Sequence, residues 1–379
     1  MQTTRTDVGT VEDLHASATR LTGLDDFGAD DYLDGLRVLL SAYAKESDLT
    51  PDGSKVTRTL VRGGLISRLL AQVAWQQYPA HADIAVPQPI FVTGLPRTGT
   101  TALHRLLTAD PAHQGLELWL ADAPQPRPPR ATWNDHPVYA ALHAGYGRQH
   151  EADPEFLGMH YSAADQVDEC WRLLCQSMMS VSYECLARIP SYSAWLAEQD
   201  WTAAYRRHRR NLQLIGLNDP GRRWVLKNPS HLFALDALLA VYPDAVVIQT
   251  HRAPRTAIAS VCSLNARVAR GWSTRFAGPA IGRAQLALWS RGVRQFRADR
   301  ARHAAAQFVD VDYEDFVADP LGTVAGIYTT LGLPLTAETR AAMAGLHAES
   351  RSGLRRPAHR YELADFGLTG TQVDAAFEG

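Results

Sequence analysis

Leu33, Leu36, Leu39, Leu40 and Tyr43 recur at the three- and four-residue steps of a helix, and Leu60, Leu65, Leu69 and Trp75 give a second stripe further on. Such stripes predict helices within 11–47 and 56–78, an N-terminal helical segment over residues 1–88. Pro87 and Pro89 punctuate its end, and the pattern then changes. Ile90-Phe91-Val92 is an unbroken apolar run, as a strand buried on both faces requires. Similar short runs occur at Trp224-Val225-Leu226, Ala245-Val246-Val247-Ile248 and Phe308-Val309-Asp310-Val311, with helical stretches between them. Strands alternating with helices predict an α/β fold, a doubly wound and mainly parallel sheet, over residues 89–379. A helical insertion at about 150–218 carries Trp171, Trp195 and Trp201, which read as core packing. Pro124, Pro126, Pro128 and Pro129 form a stiff surface loop, and there is no internal repeat.

Composition changes this picture in three places. With 379 residues and 46% hydrophobic content the chain can bury a large core, and a formal net charge of −2 leaves no general basic footprint for nucleic acid. The cysteines Cys170, Cys175, Cys185 and Cys262 lack CxxC spacing and read as reduced core thiols. Arg5, Asp7, Glu12 and Asp13 leave no apolar signal core at the N-terminus, and no stretch is apolar enough to span a membrane, so a cytoplasmic protein is expected. Finally, Lys45, Lys55 and Lys227 are the only lysines in a chain that otherwise uses arginine. Lys227, at the end of an apolar run in Lys227-Asn228-Pro229, therefore points to work for a compact ammonium.

The candidate chemistry begins where the first strand breaks into Gly94-Leu95-Pro96-Arg97-Thr98-Gly99-Thr100-Thr101. Gly94 and Gly99 permit backbone geometry that turns successive N–H groups inward, and a helix starting near Thr101 adds its positive dipole end. The loop predicts a cradle for phosphate or sulfate. Its glycine spacing is that of a nucleotide P-loop, but Thr100 stands where the phosphate-binding Lys is expected, and the basic residue is Arg97.

On these residues the chain resembles the sulfotransferases that use 3′-phosphoadenosine-5′-phosphosulfate (PAPS), and within them the branch that includes tyrosylprotein sulfotransferases. The resemblance covers roughly residues 89 to 370. It implies that Arg97, Thr98, Gly99, Thr100 and Thr101 grip the 5′-phosphosulfate. A second element agrees: Arg252 ends a strand, and Ser260 lies eight residues on, matching the family's 3′-phosphate site. The physics fits, because a strand end and the second turn of the next helix can approach one dianion together. From the same resemblance, Lys227 is expected to bridge the moving sulfuryl group and the leaving oxygen, and Glu117 to be the catalytic base. Glu117 lies among Leu116, Leu118 and Trp119, a setting whose partial burial suits a general base, the alternative being the exposed edge of a helix. His160, followed by Asp165, Asp168 and Glu169, ranks second for that role. Arg355 and Arg356 depart from the Arg-Lys-Gly element of the cytosolic enzymes.

No compact ligand spacing points to a metal. The acceptor is expected to be a hydroxyl on a small or carrier-linked molecule, and the product of the donor is 3′-phosphoadenosine-5′-phosphate (PAP). A P-loop kinase would share the sheet and the loop, but Thr100 and the lack of a magnesium carboxylate argue against it. A non-catalytic binding protein of the same fold would have no need for both Lys227 and Glu117.

Overall fold

The computed structural model describes residues 7–153, 161–352 and 361–378. Its centre is a five-stranded sheet in the order β2-β3-β1-β4-β5, all parallel. The strands are β1 (Ile90–Gly94), β2 (His113–Gln114), β3 (Arg223–Lys227), β4 (Val246–His251) and β5 (Phe308–Asp312). Alternation along β1 explains its unbroken apolar run. Ile90 and Val92 join Leu103, Leu107, Val225 and Ile248 on one face, while Phe91 joins Leu226, Val247 and Tyr242 on the other. Each layer of helices then covers one face.

Three helices precede the sheet: α1 (Val11–Thr22), α2 (Leu33–Glu46) and α3 (Pro51–Gln77). Thr50 caps α3 by accepting from Gly53 N, and Pro51 occupies its first turn. Leu36, Leu39, Leu65 and Leu69 belong to the same apolar cluster as Phe91 and Leu226, so this segment extends the main core. The approach is close: a Cβ on Gly64 would lie 2.7 Å from Cys175 O. Arg68 is buried at the junction and donates to Phe27 O, Gln176 O and Asp31. Short helices run from 171 to 215 before β3, and Trp201 is buried among them while Trp171 and Trp195 pack against the core.

After β1 come α4 (Thr100–Thr108), β2, and α5 (Leu118–Asp122). The chain therefore leaves β1 toward β2 and β3, whereas β4 and β5 lie on β1's other side. That reversal opens a crevice beyond the C-terminal ends of β1, β3 and β4, where open parallel sheets bind ligands. The C-terminal helix Gly370–Phe377 packs on Pro254–Val268 through an Arg255–Asp374 ion pair. All four cysteines are unpaired thiols, and three of them are buried. Among the described residues no helix is long and apolar enough to cross a membrane.

Candidate active site

Gly94 ends β1 at a φ of 145°, and a Cβ there would lie 2.4 Å from Thr250 Oγ1 and 2.6 Å from Thr250 O. Only glycine lets the loop pass that close to β4. Gly99 sits at φ 84° as the N-cap of α4, which has no side-chain cap, so the first-turn N–H groups remain available to an anion. Thr98 fastens the loop by donating to Leu95 O at 2.6 Å and bonding Thr250 Oγ1 at 2.5 Å. Thr100 is buried in the first turn of α4, and Thr101 is exposed beside it.

Arg97 adopts φ 71°, a left-handed conformation unusual for a residue with a side chain. Its Nε donates to Ser260 Oγ at 3.2 Å, and its carbonyl accepts from an Arg252 terminal nitrogen at 2.8 Å. The structure thus brings Arg97, Arg252 and Ser260 together from two strand ends and one helix. Burial pushes the Arg97 guanidinium below its usual range; Tyr361 opposes this and the Arg252 charge adds to it. Arg252 also lies over the Tyr313 ring, 3.9 Å from its centre, and its Nε is buried without a hydrogen-bond partner. Two close guanidiniums and an orphaned buried donor fit a phosphate dianion, which would satisfy both.

At the end of β3 the Lys227 side chain is 3% exposed. Its ammonium donates to Thr101 Oγ1 at 3.2 Å and forms an ion pair with Glu169. Lys227 therefore touches the first turn of α4 on one side and an acidic loop on the other. Below it, the His104 imidazole bonds Val225 O at 3.0 Å. Burial, reinforced by the Lys227 charge, lowers its pKa to about 3.

Glu117 is placed differently. It precedes α5 and bridges Val167, but its carboxylate accepts from Arg127 Nε at 3.1 Å. Arg127 is buried, stacks on Trp224, and also donates to Gln114 Oε1 at 2.7 Å and Asp219 at 2.9 Å. No described hydrogen bond joins Glu117 to Lys227 or Thr101. His160, Arg355 and Arg356 lie outside the described residues. Three contributors were not singled out by sequence: Arg127, Tyr313 and Glu169. Glu169 was visible only as one of several acids in its stretch, and nothing in their spacing says which one meets Lys227. Among the described residues there is no cluster of His, Cys, Asp and Glu able to hold a metal ion.

An anion cradle and a buried ammonium at the switch point of a parallel sheet define a P-loop-like group-transfer fold. Residues 89–337 match the sulfotransferase family, and the chain belongs to it. The crystal structure of sulfotransferase STF1 from Mycobacterium tuberculosis is 58% identical, covers 98% of this chain and 99% of that one, and superposes with a TM-score of 0.92. Sulfotransferase STF9 from Mycobacterium avium is 29% identical over 97% of this chain and 95% of that one, with a TM-score of 0.88. A curated relative, omega-hydroxy-beta-dihydromenaquinone-9 sulfotransferase Stf3 of Mycobacterium tuberculosis, is 27% identical over 277 residues, 70% of this chain and 68% of its own length. The chain is an enzyme of the sulfotransferase class.

Proposed function

We propose that this enzyme moves a sulfuryl group from PAPS to a hydroxyl of a small-molecule acceptor. The observation that carries the donor assignment is the meeting of Arg97, Ser260 and Arg252, with the partnerless Arg252 Nε among them. PAPS supplies a 3′-phosphate for that group and a phosphosulfate for the loop. In this reading Arg252 and Ser260 hold the 3′-phosphate. Arg97, Thr98, Gly99, Thr100 and Thr101 hold the 5′ end through backbone N–H groups and hydroxyls. Lys227, already bonded to Thr101, stands where charge develops on the leaving oxygen. The hydroxyl class of acceptor is supported by the name of the 27%-identical relative, whose substrate is an omega-hydroxy compound. In this reading Glu117 as base would draw on a carboxylate whose Oε2 already accepts from Arg127.

Ligand discrimination tests the donor reading without knowledge of the acceptor. PAP should stabilise the fold in the absence of magnesium, and ATP, which lacks a 3′-phosphate, should do so much less. At a hundred times its dissociation constant a ligand that binds only the native state adds about 2.7 kcal/mol, enough to raise a melting midpoint by a few degrees. Arg252→Ala should remove most of the PAP shift. A larger, magnesium-dependent shift with ATP that survives Arg252→Ala would establish a kinase-like site instead.

A further inference from the structure

We propose that Glu169 accepts the proton of the attacking hydroxyl, and that its ion pair with Lys227 is the resting form of this base. The inference rests on the PAPS reading above and adds a catalytic residue to it.

The loop that carries Glu169 is pinned to the ends of two other segments. Leu118 N donates to Gln166 O at 3.0 Å, Asp168 N donates to Leu116 O at 2.8 Å, and Cys170 N donates to Lys227 O at 3.0 Å. These backbone bonds fix Glu169 over the C-terminal end of β3. Neighbouring acids are committed elsewhere. Asp168 and Asp122 share Arg172, at 3.1 Å and 2.7 Å, and Asp165 pairs with Arg130 at 3.1 Å. Glu117 is held by Arg127, which Asp219 also engages. Among the described ion pairs, Glu169 is the carboxylate that meets the Lys227 ammonium. The Glu169 side chain is also 21% exposed against 3% for Lys227, so the carboxylate is the more accessible member of the pair.

Glu169, Lys227 and Thr101 thus form a continuous chain from this loop to the N-terminus of α4. A sulfonate held at that N-terminus competes with Glu169 for the same ammonium. When Lys227 turns to the sulfonate, the carboxylate is left beside the reacting group without its cation. A hydroxyl oxygen then forms a bond to sulfur as the bond from sulfur to the phosphate oxygen breaks. That oxygen keeps the electron pair and leaves as part of PAP, while the hydroxyl proton passes to Glu169 and from there to water. One group therefore holds Lys227 in the empty site and receives the proton in the filled one. Donor binding is what switches it between the two.

Water and small alkanols serve as probe acceptors, with the full chain, ³⁵S-labelled PAPS in single turnover, and calorimetric titration of PAPS without magnesium. In Glu169→Gln, PAPS should bind at least as tightly as in the wild type, because the competitor for Lys227 has lost its charge. Sulfuryl release should fall by about 10²-fold or more. In Glu169→Ala the rate should fall likewise, and added formate should restore part of it, a recovery that a purely structural role would not produce. An unchanged rate in Glu169→Gln with PAPS bound overturns the assignment. So does a slowed variant whose PAPS affinity has dropped and which formate does not rescue, since Glu169 would then act only by positioning Lys227. Failure of the wild type to bind PAPS or PAP would instead sink the donor reading, and the inference with it.

Discussion

At the ends of β1 and β4 the groups proposed for the donor lie on the loop, strand end and helix that directly follow each strand. Gly94 is pressed against Thr250, Arg97 bonds Ser260, and Arg252 bonds the Arg97 carbonyl. At the β2–β3 edge the acidic groups are instead assigned by the basic side chain that each one meets. Arg127 meets Asp219 across 92 residues, and Lys227 meets Glu169 across 58. The first region is shaped by backbone geometry at a loop and two strand ends, the second by which cation wins each carboxylate. Local geometry fixes where an anion sits. Ion pairing decides which acid can take a proton.

Lys227 joins the two regions, and its replacement is expected to have the largest effect. Lys227→Met keeps the volume and removes the charge, so transfer should fall by about 10³-fold, the scale of losing a donor at developing charge. PAP affinity should change much less, because the proposed contacts of Arg97, Arg252 and the loop to the phosphates remain. Product formation with a hydroxyl panel, followed by mass spectrometry for added SO₃, measures it. A variant that turns over normally would separate Lys227 from the reaction centre.

The donor region is tested by Arg97. Arg97→Ala should weaken PAP binding by about 2 kcal/mol, roughly 30-fold, for a lost charge-assisted contact in a partly dry site. Because Arg97 holds φ 71°, Arg97→Gly should lose the same affinity while relieving backbone strain. Calorimetric titration beside chemical denaturation reads the two quantities separately. Wild-type affinity in either variant would remove Arg97 from the donor site.

The same contrast explains what was legible in the sequence. Strands β1, β3, β4 and β5 were readable from short apolar runs such as Ile90-Phe91-Val92, whereas His113-Gln114 of β2 carries no such signal; the loop proposed for the donor stood out because Gly94, Arg97 and Gly99 sit in one short stretch with a mechanical reason for each. Arg252 and Ser260 followed, since a strand end and the next helix cannot lie far apart. Glu169 could not be picked out, since Asp165, Asp168 and Glu169 are equivalent acids until Arg130, Arg172 and Lys227 select among them. Glu117 was conspicuous for its apolar neighbours, yet its partner Arg127 comes from the proline-rich loop, where no periodicity announces a buried arginine. Nor did helical stripes reveal that α1 to α3 share a core with the sheet; that depends on close contacts such as Gly64 against Cys175.

Proton linkage offers a smaller test of how dry the donor end is. His104 lies under Lys227 with its pKa lowered to about 3 by burial first and Lys227 second, whereas an unfolded histidine titrates near 6.5. Between these values the unfolded chain binds a proton that the native chain does not. The stability is therefore complete above about pH 6.5 and declines as pH falls toward about 3, by about 1.4 kcal/mol per pH unit for this one group. Denaturation midpoints at successive pH values should show the slope, reduced by one histidine's share in His104→Gln. An identical slope in that variant would mean that His104 is not held neutral.

The smallest effect is expected at Glu117, and its size discriminates between the regions most directly. Glu117→Gln keeps a side-chain oxygen for Arg127, and Asp219 and Gln114 still hold the guanidinium. If the carboxylate serves that network, the variant should lose about 1 kcal/mol of stability, the scale of a weakened charge-assisted bond at a largely buried site. Single-turnover transfer should then fall by less than about tenfold, well short of the 10²-fold or greater loss that removal of a general base produces. Removing the arginine is the complementary change. Arg127→Met should destabilise the fold more, because it leaves the carboxylates of Glu117 and Asp219 without the cation that holds them both. A released Glu117 would be free to reach the acceptor, so this variant also asks whether Arg127 restrains a base. Little rate loss in Glu117→Gln together with an intact rate in Arg127→Met, on the fraction that remains folded, would keep Glu117 structural. A rate loss of about 10²-fold in Glu117→Gln with donor affinity unchanged would return the proton to Glu117, and with it move the acceptor to the β2 edge of the crevice.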